Sequence, residues 1–206
     1  MKEDKLFLSE DSIIGKGYHK TTYFHPMHEN KCIKVLHSEG DDAKRQLERE
    51  IKYNIRLKNK KITIIPQYYG TVDTNLGTGY YVFDLIKDYD GKVSLSLESY
   101  IYNEDFVKKN YDKIVHDIKI FKQKMLDEQI VTMKLFPGNI LYRKKSPVEW
   151  DLIIIDDIGT AVLIPLEYYL GCFAKARVRR KWQGMIDCIK NDSTSALTKK
   201  LADEIS

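Results

Sequence analysis

The chain predicts an α+β fold of two lobes. An antiparallel sheet with one helix is expected over residues 1–87, and a short, mainly helical lobe over 88–206. Three observations predict it. Runs rich in Val, Ile, Thr, Tyr and Phe, separated by glycine-bearing turns, fill the first half. One helical pattern interrupts them at 41–58, where Ala43, Leu47, Ile51 and Ile55 recur at helical spacing. A longer amphipathic pattern at 105–129 then opens the second half.

Composition sets the class. With 206 residues, 43% of them hydrophobic and 31% charged, the chain can build a core of its own. The net charge of +4 is too mild to call for nucleic acid by itself. Cys32, Cys172 and Cys188 are odd in number and not closely spaced, so reduced thiols are expected, not a disulfide framework or a zinc site. Met1-Lys2-Glu3-Asp4-Lys5 lacks the apolar run of a signal peptide, and no stretch reaches the length of a membrane span. A soluble, cytoplasmic protein is the expectation.

The elements follow in order. Gly15 and Gly17 stand one residue apart between strand-like segments, which suits a hairpin whose backbone N–H groups can approach a ligand such as a phosphate. Thr21-Thr22-Tyr23-Phe24 and Lys31-Cys32-Ile33-Lys34-Val35-Leu36 read as strands. Asp41 or Asp42 can cap the helix of 41–58. Residues 62–69, which contain Pro66, read as an edge strand or extended approach, and 71–79 as turn residues before a second strand. Tyr80-Tyr81-Val82-Phe83-Asp84-Leu85-Ile86 is the strongest strand of this half, and the polar turn of 87–92 marks the lobe boundary. A short helix is expected to start within 94–101, with Leu95, Leu97 and Tyr100. In 105–129 the stripe is Val107, Tyr111, Ile114, Val115, Ile118, Phe121 and Met125. Residues 166–173 read as a core helix and 193–205 as a final short one.

The chemistry concentrates after the long helix. Asn139 follows a Pro137-Gly138 turn. An apolar strand, Ile153-Ile154-Ile155, then ends in Asp156-Asp157 before Ile158-Gly159. An asparagine carbonyl and an aspartate carboxylate are hard oxygen donors of the kind Mg²⁺ takes. Asn139 and Asp157 are therefore the candidate metal ligands, with Asp156 as the alternative. A basic run at 175–182 (Lys175, Arg177, Arg179, Arg180 and Lys181, closing on Trp182) offers a surface for an anionic ligand or an anionic membrane. No helix-turn-helix spacing or aromatic single-strand platform accompanies it, so nucleic acid is the weakest of its readings.

These residues resemble the landmarks of the protein kinase-like fold. Against the kinase pattern His-Arg-Asp-Leu-Lys-Pro-x-Asn-Ile-Leu, the chain matches at Leu135, Pro137, Asn139, Ile140 and Leu141. It departs at Thr132 for the His, Met133 for the Arg, Lys134 for the catalytic Asp and Phe136 for the Lys. The resemblance implies a nucleotide site. Gly15 and Gly17 would cover the phosphates, with Lys20 in the place of the third glycine. Lys34 would be the phosphate-contacting lysine and Glu50 its helix partner, with Glu48 as second candidate. The backbone near Asp84 and Ile86 would meet adenine, and Mg-ATP would be the ligand. With Lys134 at the base position, an active kinase is expected only as an atypical one.

Over nearly its full length the chain is also similar to the YrbL family of bacterial PhoP regulatory network proteins. Ile14-Gly15-Lys16-Gly17, Cys32-Ile33-Lys34-Val35, Arg49-Glu50-Ile51-Lys52-Tyr53, Tyr69-Gly70-Thr71-Val72-Asp73-Thr74, Ile130-Val131-Thr132-Met133, Pro137-Gly138-Asn139-Ile140-Leu141 and Leu163-Ile164-Pro165-Leu166 carry this similarity. It implies a compact kinase-like protein linked to envelope-stress and magnesium-responsive regulation. Two functions are expected from it: a pseudokinase that regulates a protein partner, or an atypical kinase acting on a small molecule or envelope sugar.

Overall fold

The computed structural model describes residues 5–36 and 41–206. Met1 to Asp4 and the side chain of Asp41, one of the two expected caps, lie outside what is described. The chain forms two compact units: Met1–Asn59 with Pro66–Ile86, and Lys60–Ile65 with Lys87–Ser206.

The first unit is a mixed α+β body. Its strands are β1 (Ile13–Lys16), β2 (Lys20–Phe24), β3 (Lys31–Leu36), β4 (Tyr68–Thr74) and β5 (Gly77–Asp84), paired antiparallel in the order β1-β2-β3-β5-β4. Helix α1 spans Asp41–Leu57. Alternation along β3 sends Ile33 and Val35 to one face, where they pack with Leu8 and Val82. Lys34 lies on the other face. The register pairs Lys20 with Leu36 and Thr22 with Lys34, so Lys20 and Lys34 are diagonal neighbours on that second face.

The inward stripe of α1 differs from the one expected. Ala43, Leu47 and Ile51 are buried, but Ile55 is exposed, and Glu50 and Asn54 take inward positions instead. A stripe running 43, 47, 50, 54, 57 keeps the alternating four- and three-residue steps of a helix, and a glutamate occupies its middle. Between β4 and β5 the turn is only Asn75-Leu76. Thr71 to Thr74 belong to β4, and Gly77-Thr78-Gly79 lie in β5. The Asn75 side chain fixes this turn by accepting from the Leu8 N–H at 2.8 Å and donating to the Leu8 carbonyl at 3.1 Å. Pro66 stays outside the ladder, and β4 begins at Tyr68 on the sheet edge.

His25 follows β2 and is buried, and its Nδ1 accepts from the Met27 N–H at 3.1 Å. Burial first, then His28 and Lys31, hold its pKa below the ordinary 6.5. A depressed histidine pKa means the unfolded chain binds the proton more readily. Stability is therefore full above pH 6.5 and falls as pH drops through 6.5 toward the folded-state value. Protonation also removes the acceptor for Met27, a loss of about 1 kcal/mol. Urea midpoints at pH 7.5 and 5.5 will separate in the wild type and converge in His25→Asn.

The second unit is mostly helical: α2 (Leu97–Ile101), α3 (Glu104–Asp127), α4 (Gly171–Asp192) and α5 (Ala196–Glu204), with a two-stranded hairpin of β6 (Ile140–Lys144) and β7 (Trp150–Ile154). Asn103 caps α3 by accepting from the Phe106 N–H at 3.0 Å. Val107, Ile114, Val115, Ile118, Phe121 and Met125 of its stripe are buried, while Tyr111 is half-buried with its hydroxyl on Glu204. The 60–65 stretch belongs here because Ile64 is buried and its carbonyl accepts from the Ile154 N–H at 2.8 Å. Glu128 also accepts from Thr63.

Two expectations fail in this unit. Leu95 lies outside the helix and is exposed, because α2 begins only at Leu97, after its Ser96 cap. The 166–173 stretch is not a core helix. It is a short 3₁₀ turn at Leu166–Tyr168 followed by the start of α4, and Leu166, Tyr169, Leu170 and Phe173 are exposed. Apolar composition alone does not set burial, and this stretch lacks a helical repeat long enough to form one inward stripe. Among the described residues no helix is long and apolar enough to cross a membrane.

Candidate functional site

In the first unit, Glu50 is 1% exposed and carries two lysines. Its carboxylate meets Lys20 Nζ at 2.8 Å and Lys34 Nζ at 3.7 Å. Both lysines are buried, and Lys34 Nζ also lies 4.7 Å from the centre of the Phe83 ring. The register explains this: the lysines are diagonal neighbours on one sheet face, and Glu50 faces inward from α1. Glu48, the second candidate, is exposed and forms the surface pair with Lys52 at 3.8 Å. Lys20 is therefore not a solvent-facing side chain.

Gly15 lies in β1 opposite Thr22, and Gly17 opens the β1–β2 turn, where its N–H donates to the Lys20 carbonyl at 2.8 Å. A side-chain carbon placed at Gly15 would meet no atom within 4 Å. At Gly17 it would meet only the Lys20 carbonyl, at 3.5 Å. Packing inside the unit does not require either glycine.

The Asp84 amide is already used, donating to the Gln67 carbonyl at 3.1 Å. Its carboxylate accepts from the Gln67 N–H and the Tyr69 hydroxyl, at 2.9 and 2.8 Å. The Leu85 N–H donates to the Asn30 carbonyl, and Ile86 is buried.

In the second unit, short backbone bonds lock two segments together. The Met133 N–H donates to the Asp157 carbonyl and the Gly159 N–H to the Val131 carbonyl, each at 2.7 Å. The Ile155 N–H donates to the Asn139 carbonyl at 2.9 Å. Strand β7 has already ended at Ile154, so strand alternation does not govern the two carboxylates. Asp157 adopts a left-handed backbone with φ 59°, and Gly159 follows at φ 97°. This turn brings Asp157 to Asn139, whose Nδ2 donates to Asp157 Oδ2 at 2.9 Å. Asp157 is buried. Asp156 is half-buried and accepts from the Asp157 N–H at 2.9 Å.

The donor set fits Mg²⁺ in type. With its amide nitrogen on Asp157, Asn139 retains an oxygen donor beside a carboxylate. Among the described residues no group of three or more His, Cys, Asp or Glu side chains assembles a metal cage. A magnesium ion here would take its remaining ligands from phosphate and water, its usual habit.

The basic run divides. Val178 and Trp182 are core, and Lys175 is half-buried. Arg177 turns inward: its Nε donates to the Thr132 carbonyl at 3.3 Å, and its Nη1 lies 3.5 Å from Glu167. Arg179 is exposed and neighbours Lys122. Lys181 is half-buried near Arg177, Arg180, Asp157 and Lys134, and its pKa is lowered, chiefly by burial and then by its cationic neighbours. Lys134 is exposed. The proximity of Lys181 to Asp157 was not legible in the sequence. The only trace is its spacing of four from Arg177.

A cleft of about 390 Å³ in this unit lies elsewhere. Lys113, His116, Asp117, Lys145, Trp150 and Asp151 are among its walls, and none of the expected site residues lines it.

A model of the family described as PhoP regulatory network protein YrbL matches residues 6–190. Proteins named Uncharacterized protein YrbL from Escherichia coli (strain K12) and from Shigella flexneri are each 37% identical over 185 residues, covering 87% of this chain and 85% of theirs. The shared stretch spans both units and includes Gly15, Lys34, Glu50, Asn139 and Asp157. The chain belongs to the YrbL family.

Proposed function

We propose that the chain is a kinase-like nucleotide-binding protein that acts as a pseudokinase, a regulatory module in the PhoP-linked response its family is named for. In this reading the two units are the small and large lobes of a kinase-like fold. The supporting observation is the buried Glu50 with Lys20 and Lys34. Holding two ammonium groups out of water around one carboxylate is costly, and fold stability alone does not call for it. Such a cluster is suited to a polyphosphate. The glycines at 15 and 17, which packing does not require, are suited to close backbone approach by the same ligand. Asn139 and Asp157 would hold Mg²⁺, whose chemistry is to neutralise phosphate charge. Lys134 stands where the kinase pattern has the aspartate that serves as general base. That favours regulation over phosphoryl transfer. The retained Asn139–Asp157 pair favours the second reading, an atypical kinase that takes phosphate from Mg-ATP to a small molecule or envelope sugar.

Calorimetric titration of ATP, with and without Mg²⁺, tests the proposal. The wild type is expected to bind in a metal-dependent way. Lys34→Ala should weaken binding about tenfold or more, as expected for loss of a charge-assisted contact, and Asp157→Ala should abolish the metal dependence. Absence of binding by a folded wild type sinks the reading. Phosphorylated product with any acceptor would move the chain to the atypical kinase.

A further inference from the structure

In the 163–173 segment the usual sorting of side chains is inverted. Glu167 and Tyr168 take the inward positions, while Leu163, Ile164, Leu166, Tyr169, Leu170 and Phe173 are exposed. Three contacts hold the segment in this pose. The Tyr168 hydroxyl accepts from the Thr160 N–H at 2.9 Å. Glu167 meets Arg177 of α4 at 3.5 Å, with both side chains largely out of water. The Leu170 N–H donates to the Leu166 carbonyl at 2.9 Å. Single exposed apolar side chains are ordinary, but six within eleven residues mark a surface that something covers.

The apolar segment runs directly into a cationic helix face. On α4 the exposed positions Phe173, Ala176 and Arg180 follow at steps of three and four, with Arg179 beside them. Residues 160–184 hold five cations, Lys175, Arg177, Arg179, Arg180 and Lys181, against one carboxylate, Glu167, an excess equal to the whole chain's net +4. Arg177 is committed to Glu167 and the Thr132 carbonyl. Among the described residues Lys175, Arg179 and Arg180 have no carboxylate partner.

Charge and exposure choose the occupant. A second copy docking through the same face would set the positive excess against itself. A partner's peptide segment needs a groove, and Leu163, at 96% exposure, has almost no protein around it. Ile164 and Tyr169 stand out nearly as far, at 72% and 71%. An anionic bilayer surface meets both features. Its headgroups attract the cations, and its acyl boundary takes in protruding apolar side chains, with tyrosine favoured at the interface.

We propose that the 163–173 segment and the adjoining face of α4 form a docking surface for an anionic lipid bilayer. Leu163, Ile164 and Tyr169 enter the headgroup boundary, and Lys175, Arg179 and Arg180 lie against the headgroups. This is attachment to one leaflet and calls for no spanning helix. It does not rest on the nucleotide reading, and vesicle binding is expected whether or not the chain binds ATP.

Sedimentation of the whole chain with vesicles tests the proposal. Phosphatidylcholine vesicles carrying about one-third phosphatidylserine should bind the wild type about a hundredfold more tightly than phosphatidylcholine alone, the scale of three basic residues at about fivefold each. Arg179→Gln and Arg180→Gln should each cost about fivefold, while Lys199→Gln, exposed on α5, stays within about twofold. A Leu163→Asp, Ile164→Asp double variant should lose about a hundredfold, because it removes the inserted apolar area and adds repulsion. All these positions are exposed, and circular dichroism will verify that each variant folds. In Leu163→Trp the added indole should shift its emission to the blue when anionic vesicles are present. No vesicle binding by the folded wild type, equal binding to both compositions, or binding untouched by the double variant overturns the proposal. A wild-type dimer in solution that the double variant splits would also overturn it, by giving the surface to a second copy.

Discussion

A Glu50→Ala chain will lose about 3–5 kcal/mol of stability in its first unit, measured by urea unfolding, because the substitution leaves two buried ammonium groups without their shared carboxylate. The side chain is almost wholly removed from water, as are both lysines. The loss is a penalty on what remains and does not measure the worth of the ion cluster. A triple variant separates the two. Replacing all three residues together, with Lys20→Met, Lys34→Met and Glu50→Leu, takes the charges away and keeps apolar volume. Its stability should return to within about 1–2 kcal/mol of the wild type or rise above it. ATP binding should not return with it. If the triple variant is as unstable as Glu50→Ala, the cluster is a structural fixture and the functional argument drawn from it fails.

The second large effect is in the other unit. Trp182 is among the largest fully buried side chains, 1% exposed, and its Nε1–H donates to the Ile205 carbonyl at 2.8 Å. Trp182→Ala therefore opens a cavity and orphans the carbonyl just past α5. A cost of about 3–5 kcal/mol is expected from the cavity, with about 1 kcal/mol more for the lost bond. Trp182→Phe keeps most of the volume and should recover the larger part. Tryptophan emission will report the change, since Trp150 is the only other indole. A Trp182→Ala chain that melts with the wild type would mean α4 is not packed through this residue.

Much of the architecture was written in the side-chain pattern. Strand β3 reads directly from Cys-Ile-Lys-Val, and the alternation that hides Ile33 and Val35 also sends Lys34 to the face Glu50 covers. The long α3 stripe was legible because its repeat runs through several turns. The missed elements fail where a pattern is short. In 166–173 apolar residues are dense, yet no helical stripe forms, and four of them stay in water. In 71–79 polar residues read as a loop, but strand pairing decided otherwise and left only Asn75 and Leu76 to turn. Glu50 was named by its place in a motif, and its depth was not legible, because a glutamate within an apolar stripe reads as an interruption. That Asp157 meets Asn139 was hidden for a different reason. It turns on the left-handed backbone at 157, which no residue type announces, although aspartate tolerates it better than most.

The 60–65 stretch has a consequence for how the protein is made. The ribosome delivers it within the first unit, before β4 and β5, yet Ile64 must wait for Ile154 to complete its hydrogen bond and burial. That partner emerges roughly 90 residues later, about 5–20 s at ordinary elongation rates. For that interval a nascent chain whose sheet is already complete still carries an uncovered isoleucine in the middle of its sequence. The first unit can finish early, but the segment interposed in its sequence is settled only after the hairpin of the second has been synthesised.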